Sequence, residues 1–151
     1  MDTMRALKQV ILFKDVPDPV LEIVARTAEE ISVPAGETLV AAADTPDALY
    51  VIRNGTLSVV PEGGNMSPML FGTGETIGDA QFVDGEAAGG TVTALERVDL
   101  LVIRSAKLAD ALAGDPEARY QLYRAIARSL AARLRRAVGM IALAREREAG
   151  S

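Results

Sequence analysis

The chain has 151 residues, 49% of them apolar, and a net charge of −5, which suits one domain with an ordinary aliphatic core. Cys and His are both absent, which excludes disulfides, the usual zinc sites and any Ser-His or Cys-His catalytic pair; the carboxylates form no recognisable pair, so no enzyme activity, catalytic residue or metal site is expected. No stretch approaches the ~18–20 unbroken apolar residues of a membrane span, and the opening Met1-Asp2-Thr3-Met4-Arg5 lacks the form of a signal peptide, so a cytoplasmic location is expected.

Residues 4–13 read as a short helix, broken by Asp15-Val16-Pro17-Asp18-Pro19. A second helix is expected over 19–28, with Leu21, Val24 and Ala25 on one face and Pro19 in its first turn. From Ile31 the period changes to that of a strand. Strands are expected at 31–33, 38–40, 48–53, 56–60, 69–71, 91–95 and 100–103. Asn54-Gly55 is a strong hairpin signal, because both residues tolerate positive φ, and 56–60 is then the returning strand. Residues 61–67 read as a loop. Strands this short, at this regular spacing, suggest an all-β sandwich or barrel. Ser105 then caps a short helix over 106–113, and Gly114-Asp115-Pro116 ends it.

A long helix is expected from Glu117 to Arg147, roughly 45 Å at 1.5 Å per residue. Tyr123, Ala127, Leu130, Leu134, Ala137, Ile141 and Ala144 are spaced 4-3-4-3-4-3 along it, an unbroken heptad seam. A helix of that length overhangs a small barrel, and its seam calls for a second copy of the same helix by twofold symmetry; a homodimer is the expectation. Packing of the seam on its own barrel is the alternative. Residues 1–116 carry a balance of −10 and residues 117–151 one of +5. Arg124, Arg128, Arg133, Arg135 and Arg136 lie off the seam. They read as a solvated flank pairing with acidic patches on the barrel, or else as a contact for an anionic membrane or nucleic acid. The acidic body disfavours nucleic acid as a main partner.

Several segments meet in order: Leu12-Phe13, Leu21 and Val24, Val33-Pro34-Ala35-Gly36-Glu37-Thr38-Leu39, and Leu49-Tyr50-Val51-Ile52-Arg53-Asn54-Gly55-Thr56-Leu57-Ser58-Val59. Together they resemble the cyclic-nucleotide-binding domain family, shared by catabolite-activator-type regulators, protein kinase A regulatory subunits and cyclic-nucleotide-gated channels. The resemblance spans about residues 7–136. It departs at Ala43-Asp44, where the family usually has Gly-Asp. It implies a mainly β fold with flanking helices: a double-stranded β-helix, or jelly-roll-like barrel, followed by a long C-terminal helix. The expected division is a barrel with N-terminal helices over 1–116 and a dimerising helix over 117–151.

The resemblance also implies a phosphate-binding cassette. In the family it holds Phe-Gly-Glu, a short helix, and Arg before a strand. Gly admits close backbone approach, helix-start amides face the phosphate, Glu accepts from the ribose 2′-hydroxyl, and Arg pairs with the phosphate. Here residues 77–92 carry the candidates Gly78, Asp79, Ala80, Ala88, Gly89, Gly90 and Thr91. Gly78 matches. Asp79 replaces Glu, one methylene shorter, and suits a ribose contact or a cap on the short helix equally. The Arg position falls on Ala88, and no Lys or Arg occurs between Arg53 and Arg97. Losing a bidentate contact of roughly 3 kcal/mol weakens binding about a hundredfold. Gly89 and Gly90 offer amides for an anion nest, or simply a turn. Ala137 and Val138 fall near the family's base-contacting position and carry no hydrogen-bonding side chain.

Two functions follow. One is a regulatory module sensing a small anionic ligand, cAMP or cGMP by resemblance, through a degenerate cassette. The other is a ligand-free dimerisation or protein-interaction module that keeps the fold. No cofactor is otherwise expected, and no helix-turn-helix follows the long helix in these residues, so no DNA-binding domain is expected in this chain.

Overall fold

The computed structural model describes residues 3–63 and 67–150. Two helices come first, α1 (Thr3–Lys8) and α2 (Asp18–Thr27), with a 3-10 turn at Ile11–Phe13 between them. The helix expected over 4–13 is thus split. The amide of Ile11 leaves the helical ladder to donate to the Gly74 carbonyl, which sets Leu12 and Phe13 into the core. Eight strands follow: β1 (Ala28–Val33), β2 (Thr38–Val40), β3 (Ala48–Asn54), β4 (Leu57–Pro61), β5 (Met69–Phe71), β6 (Thr76–Ile77), β7 (Gly90–Ala94) and β8 (Val98–Arg104). Helix α3 (Asp79–Asp84) sits between β6 and β7. Helices α4 (Ser105–Leu112) and α5 (Pro116–Ala149) close the chain. Of the segment read as a loop over 61–67, Pro61 belongs to β4, and part lies outside the described residues.

The strands form two antiparallel four-stranded sheets in the orders β1-β8-β3-β6 and β2-β7-β4-β5, a jelly-roll arrangement. Period-two patterning explains how they stack. Ala48, Tyr50 and Ile52 of β3 and Val98, Leu100 and Val102 of β8 face the second sheet. The alternate residues Leu49, Val51, Leu101 and Ile103 face the helices. The central strands of the first sheet are therefore buried on both faces, which is why they read as nearly continuous apolar runs. The second sheet buries one face only, and β7 alternates accordingly, with Val92 and Ala94 inward. Residues Leu7, Phe13, Leu21, Val24, Leu108, Leu122 and Ile126 cover the outer face of the first sheet.

The Asn54-Gly55 pair does not make a hairpin. β3 pairs with β8 and β6, and β4 with β7 and β5, so the turn carries the chain from one sheet to the other. Only Gly55 has positive φ, at 109°, and a Cβ there would meet the Arg97 carbonyl oxygen at 2.8 Å. Both edges of β3 are already taken, so the returning strand finds no partner on it. Ser105 also differs from expectation. It is the first helical residue of α4, Arg104 holds the cap position without a side-chain bond, and the Ser105 amide donates to Asp47 O. Asp115 does cap α5, its Oδ1 accepting from the Ala118 amide at 3.0 Å.

Helix α5 has 34 residues, about 51 Å. Its first half enters the core through Ala118, Leu122 and Ile126, so the helix is built onto the barrel from its start. From Leu134 onward every described residue is exposed. No described helix is long and apolar enough to cross a membrane.

Candidate functional site

Strand β6 runs into α3 through Gly78. That residue has φ of 93°, and a Cβ on it would lie 2.8 Å from the Ala48 carbonyl oxygen. The close approach that demands glycine here is to β3, within the protein. Behind α3 lies a pocket of about 170 Å³. Its walls are mostly apolar, including Val59, Phe71, Ile77 and Val92, and its polar groups are Thr76, Asp79, Gln81 and Arg133. Four of the sequence candidates line it: Asp79, Ala80, Ala88 and Gly90. Gly78, Gly89 and Thr91 are adjacent to these in the chain without lining the cavity.

Asp79 is 2% exposed. It does not cap α3, whose cap position is Gly78 and carries no side-chain bond. Instead its carboxylate receives Arg133 of α5 in a fork: Nη2 donates to Oδ2 at 2.7 Å and Nη1 to Oδ1 at 3.2 Å. Thr76 Oγ1 donates to the same Oδ2 at 3.2 Å and accepts from Arg133 Nη2 at 3.3 Å. Two parallel charge-assisted bonds of this kind fix both direction and distance. A second contact joins the same two helices: the rings of Phe82 and Tyr123 have centroids 5.7 Å apart.

Arg133, expected in a solvated flank pairing with acidic patches on the barrel, does pair with an acid of the barrel, but with the buried Asp79 in the pocket wall. A signal existed. Ala118, Leu122 and Ile126 form the barrel-facing stripe of α5, and Arg133 falls one heptad after Ile126. A cation on an apolar stripe needs a buried partner, and Asp79 is that partner. The local reading missed it because the two residues are 54 positions apart.

The loop before β7 carries no cation. Ala88 and Gly89 spend their amides on the Asp44 and Ala42 carbonyls, at 2.9 and 3.0 Å. These bonds tie the loop to residues 42–44 and occupy the Gly89 amide, one of the two that Gly89-Gly90 would offer to an anion nest. Among the described residues the pocket wall holds one cation, Arg133, and it is already paired with Asp79.

The heptad seam is mixed in surroundings. Leu130 packs at the edge of the core and Tyr123 touches Phe82, whereas Leu134 is 65% and Ile141 55% exposed. Ala127, Ala137 and Ala144 are exposed as well.

The family model described as "Cyclic nucleotide-binding domain" matches residues 30–115. An uncharacterized NTE family protein of Mycobacterium tuberculosis is 32% identical over 130 residues, 85% of this chain and 22% of the relative. The chain thus spans about a fifth of the length of that relative. Among solved structures, the N-terminal domain of a transcriptional regulator from Streptomyces coelicolor superposes with a TM-score of 0.71 at 28% identity, covering 83% of this chain and 91% of that one. The catabolite activator protein of Thermus thermophilus gives 0.71 at 22% identity, covering 87% and 62%.

Proposed function

Since this chain belongs to the cyclic nucleotide-binding domain family, we propose that it is a regulatory ligand-sensing module with a degenerate phosphate-binding cassette, acting by binding and not by catalysis. The observation that carries this reading is the Asp79–Arg133 ion pair in the pocket wall. Asp79 holds the position where the family resemblance implies a ribose contact, and the Arg133 guanidinium already engages both of its oxygens. Ala88 holds the position of the phosphate-pairing Arg and contributes no charge. A phosphodiester entering the pocket meets one cation, Arg133, and must compete with Asp79 for it.

That competition supplies a signalling route. A small anionic ligand that draws Arg133 away from Asp79 loosens α5 from α3, and one that leaves the pair intact holds α5 in place. Ligand binding then shifts α5 between two arrangements, by as much as the ligand's affinity differs between them. The exposed seam beyond Leu134 is the element that reads out this shift, pairing with the seam of a second copy.

Calorimetry with cAMP and cGMP tests the cassette. The expected result is no binding at micromolar concentration to the unmodified chain and a gain of binding for Ala88→Arg. Micromolar or tighter binding to the unmodified chain, abolished by Asp79→Ala, overturns the degenerate reading. The exposed seam equally favours a second reading, a ligand-free dimerisation module. Absence of binding in Ala88→Arg as well selects that one.

A further inference from the structure

On the other flank of α5, between the 3-10 turn and the helix, lies a second cavity of about 200 Å³. Leu12 and Ala125 contribute to its walls, and four cations line it: Lys14 from the end of the turn, and Arg124, Arg128 and Arg136 from α5. Among the described residues none of the four is held in an ion pair. One acid, Asp15, faces the same cavity and is also outside any ion pair. The walls therefore carry a surplus of three positive charges in a chain whose net charge is −5. Arg124 and Arg128 stand at i and i+4, a spacing at which like charges repel and disfavour the helix. Among the described residues neither arginine has an ion-pair partner to offset that repulsion.

We propose that this groove binds an elongated anion carrying two or more phosphoryl groups. The shape of the charge argues for length. Arg124 to Arg128 is about 6 Å along the helix axis and Arg128 to Arg136 a further 12 Å or so. Lys14 faces them from the opposite wall. One compact ion cannot neutralise a row drawn out over roughly 18 Å, whereas a chain of phosphoryl groups can.

The position is separate from both other features of α5. At about 100° per residue, the barrel-facing stripe of Leu122, Ile126 and Arg133 lies between the groove and the heptad seam. A second copy on the seam leaves Lys14, Arg128 and Arg136 open, with Arg124 flanking the contact. The groove continues past Ser129 and Arg136 into a cleft of about 60 Å³ whose walls include Thr76 and Arg133. An anion bridging Lys14 to α5 thus clamps the helix onto the barrel one turn from the Asp79–Arg133 pair. This site does not depend on what the pocket behind α3 binds.

The test is calorimetry of the full chain at about 20 mM ionic strength, where exposed charges are weakly screened. The probes are orthophosphate, pyrophosphate and tripolyphosphate. Affinity is expected to rise with phosphate number and to raise the thermal midpoint by mass action. Arg128→Gln and Lys14→Gln, on opposite walls, should each weaken tripolyphosphate binding about tenfold or more, the value of one charge-assisted contact. Asp15→Asn should tighten it. All three side chains are exposed, so the variants keep the fold, which circular dichroism checks. A second arm uses vesicles of phosphatidylcholine with or without a bisphosphorylated inositol lipid. Lys14- and Arg128-dependent binding to the phosphorylated vesicles alone assigns the phosphates to a lipid headgroup, and to tripolyphosphate alone, to a free anion. Binding of neither probe overturns the proposal. So does an equal loss from Arg145→Gln, a helix cation outside the groove, since general helix charge then explains the affinity.

Discussion

Replacing Arg133 by Met keeps the aliphatic stem and removes the guanidinium. Asp79, 2% exposed, is then left with Thr76 as its remaining side-chain partner. Cutting a fully buried ion pair at one end costs about 3–5 kcal/mol. Arg133, however, has a side chain 34% exposed, so water replaces part of what the carboxylate loses. The expected loss is about 2–3 kcal/mol, the range of a charge-assisted contact. In a chain of this size that lowers the thermal midpoint by roughly 4–12 °C. Asp79→Asn keeps the shape and an acceptor for Thr76, returns Arg133 to solvent, and costs less, about 1–2 kcal/mol. Chemical denaturation of both single variants and the double variant closes a mutant cycle. A coupling energy of about 1.5 kcal/mol or more is expected. If the two losses add to within about 0.5 kcal/mol, the pair is not the link between α3 and α5, and the signalling route drawn through it fails.

Gly78→Ala forces a side chain into positive φ with its Cβ against the Ala48 carbonyl oxygen, so a loss of about 2 kcal/mol or more should appear as a lower denaturation midpoint. Leu134→Asp, 65% exposed in the single chain, should leave the fold intact and halve the sedimenting mass; an unchanged mass contradicts the seam as a dimer contact. Tyr50, buried between the sheets beside Asp47, has its phenol pushed above the ordinary value of 10.0, chiefly by burial and then by the Asp47 charge. The folded state therefore favours the protonated phenol. Its contribution is whole below about pH 10 and is lost as pH rises through the higher folded pKa. Tyr50→Phe should flatten this alkaline loss of stability, and ultraviolet titration should show one of the three tyrosines ionising late.

Much of the fold was legible because it rests on local periodicity. The continuous apolar runs around Leu49–Ile52 and Leu100–Ile103 mark strands buried on both faces, and β3 and β8 are buried so in the structure. Gly78 and Asp79 stood out as candidates because their order and spacing match a family pattern, and Asp79, Ala80, Ala88 and Gly90 line one pocket. The Asn54-Gly55 turn shows the limit of local signals. Its dihedral chemistry is that of a tight turn, but whether the flanking strands pair depends on which edges are already occupied, and β8 and β6 occupy those of β3.

By itself the sequence determined most of the strands and helices, the heptad spacing along α5 and the absence of a cation from the cassette loop. Spacing along one element is enough for all of these, since side-chain direction repeats every 2 residues in a strand and every 3.6 in a helix. The tertiary structure decided which distant groups meet. Only the docking of α5 against the first sheet through Leu122 and Ile126 brings Arg133 to within 2.7 Å of Asp79. The same docking places Arg124, Arg128 and Arg136 opposite Lys14. A charge in water has no preferred partner until packing removes the water. The pairing of a pocket carboxylate with a helix cation 54 residues away is therefore a property of the folded chain alone.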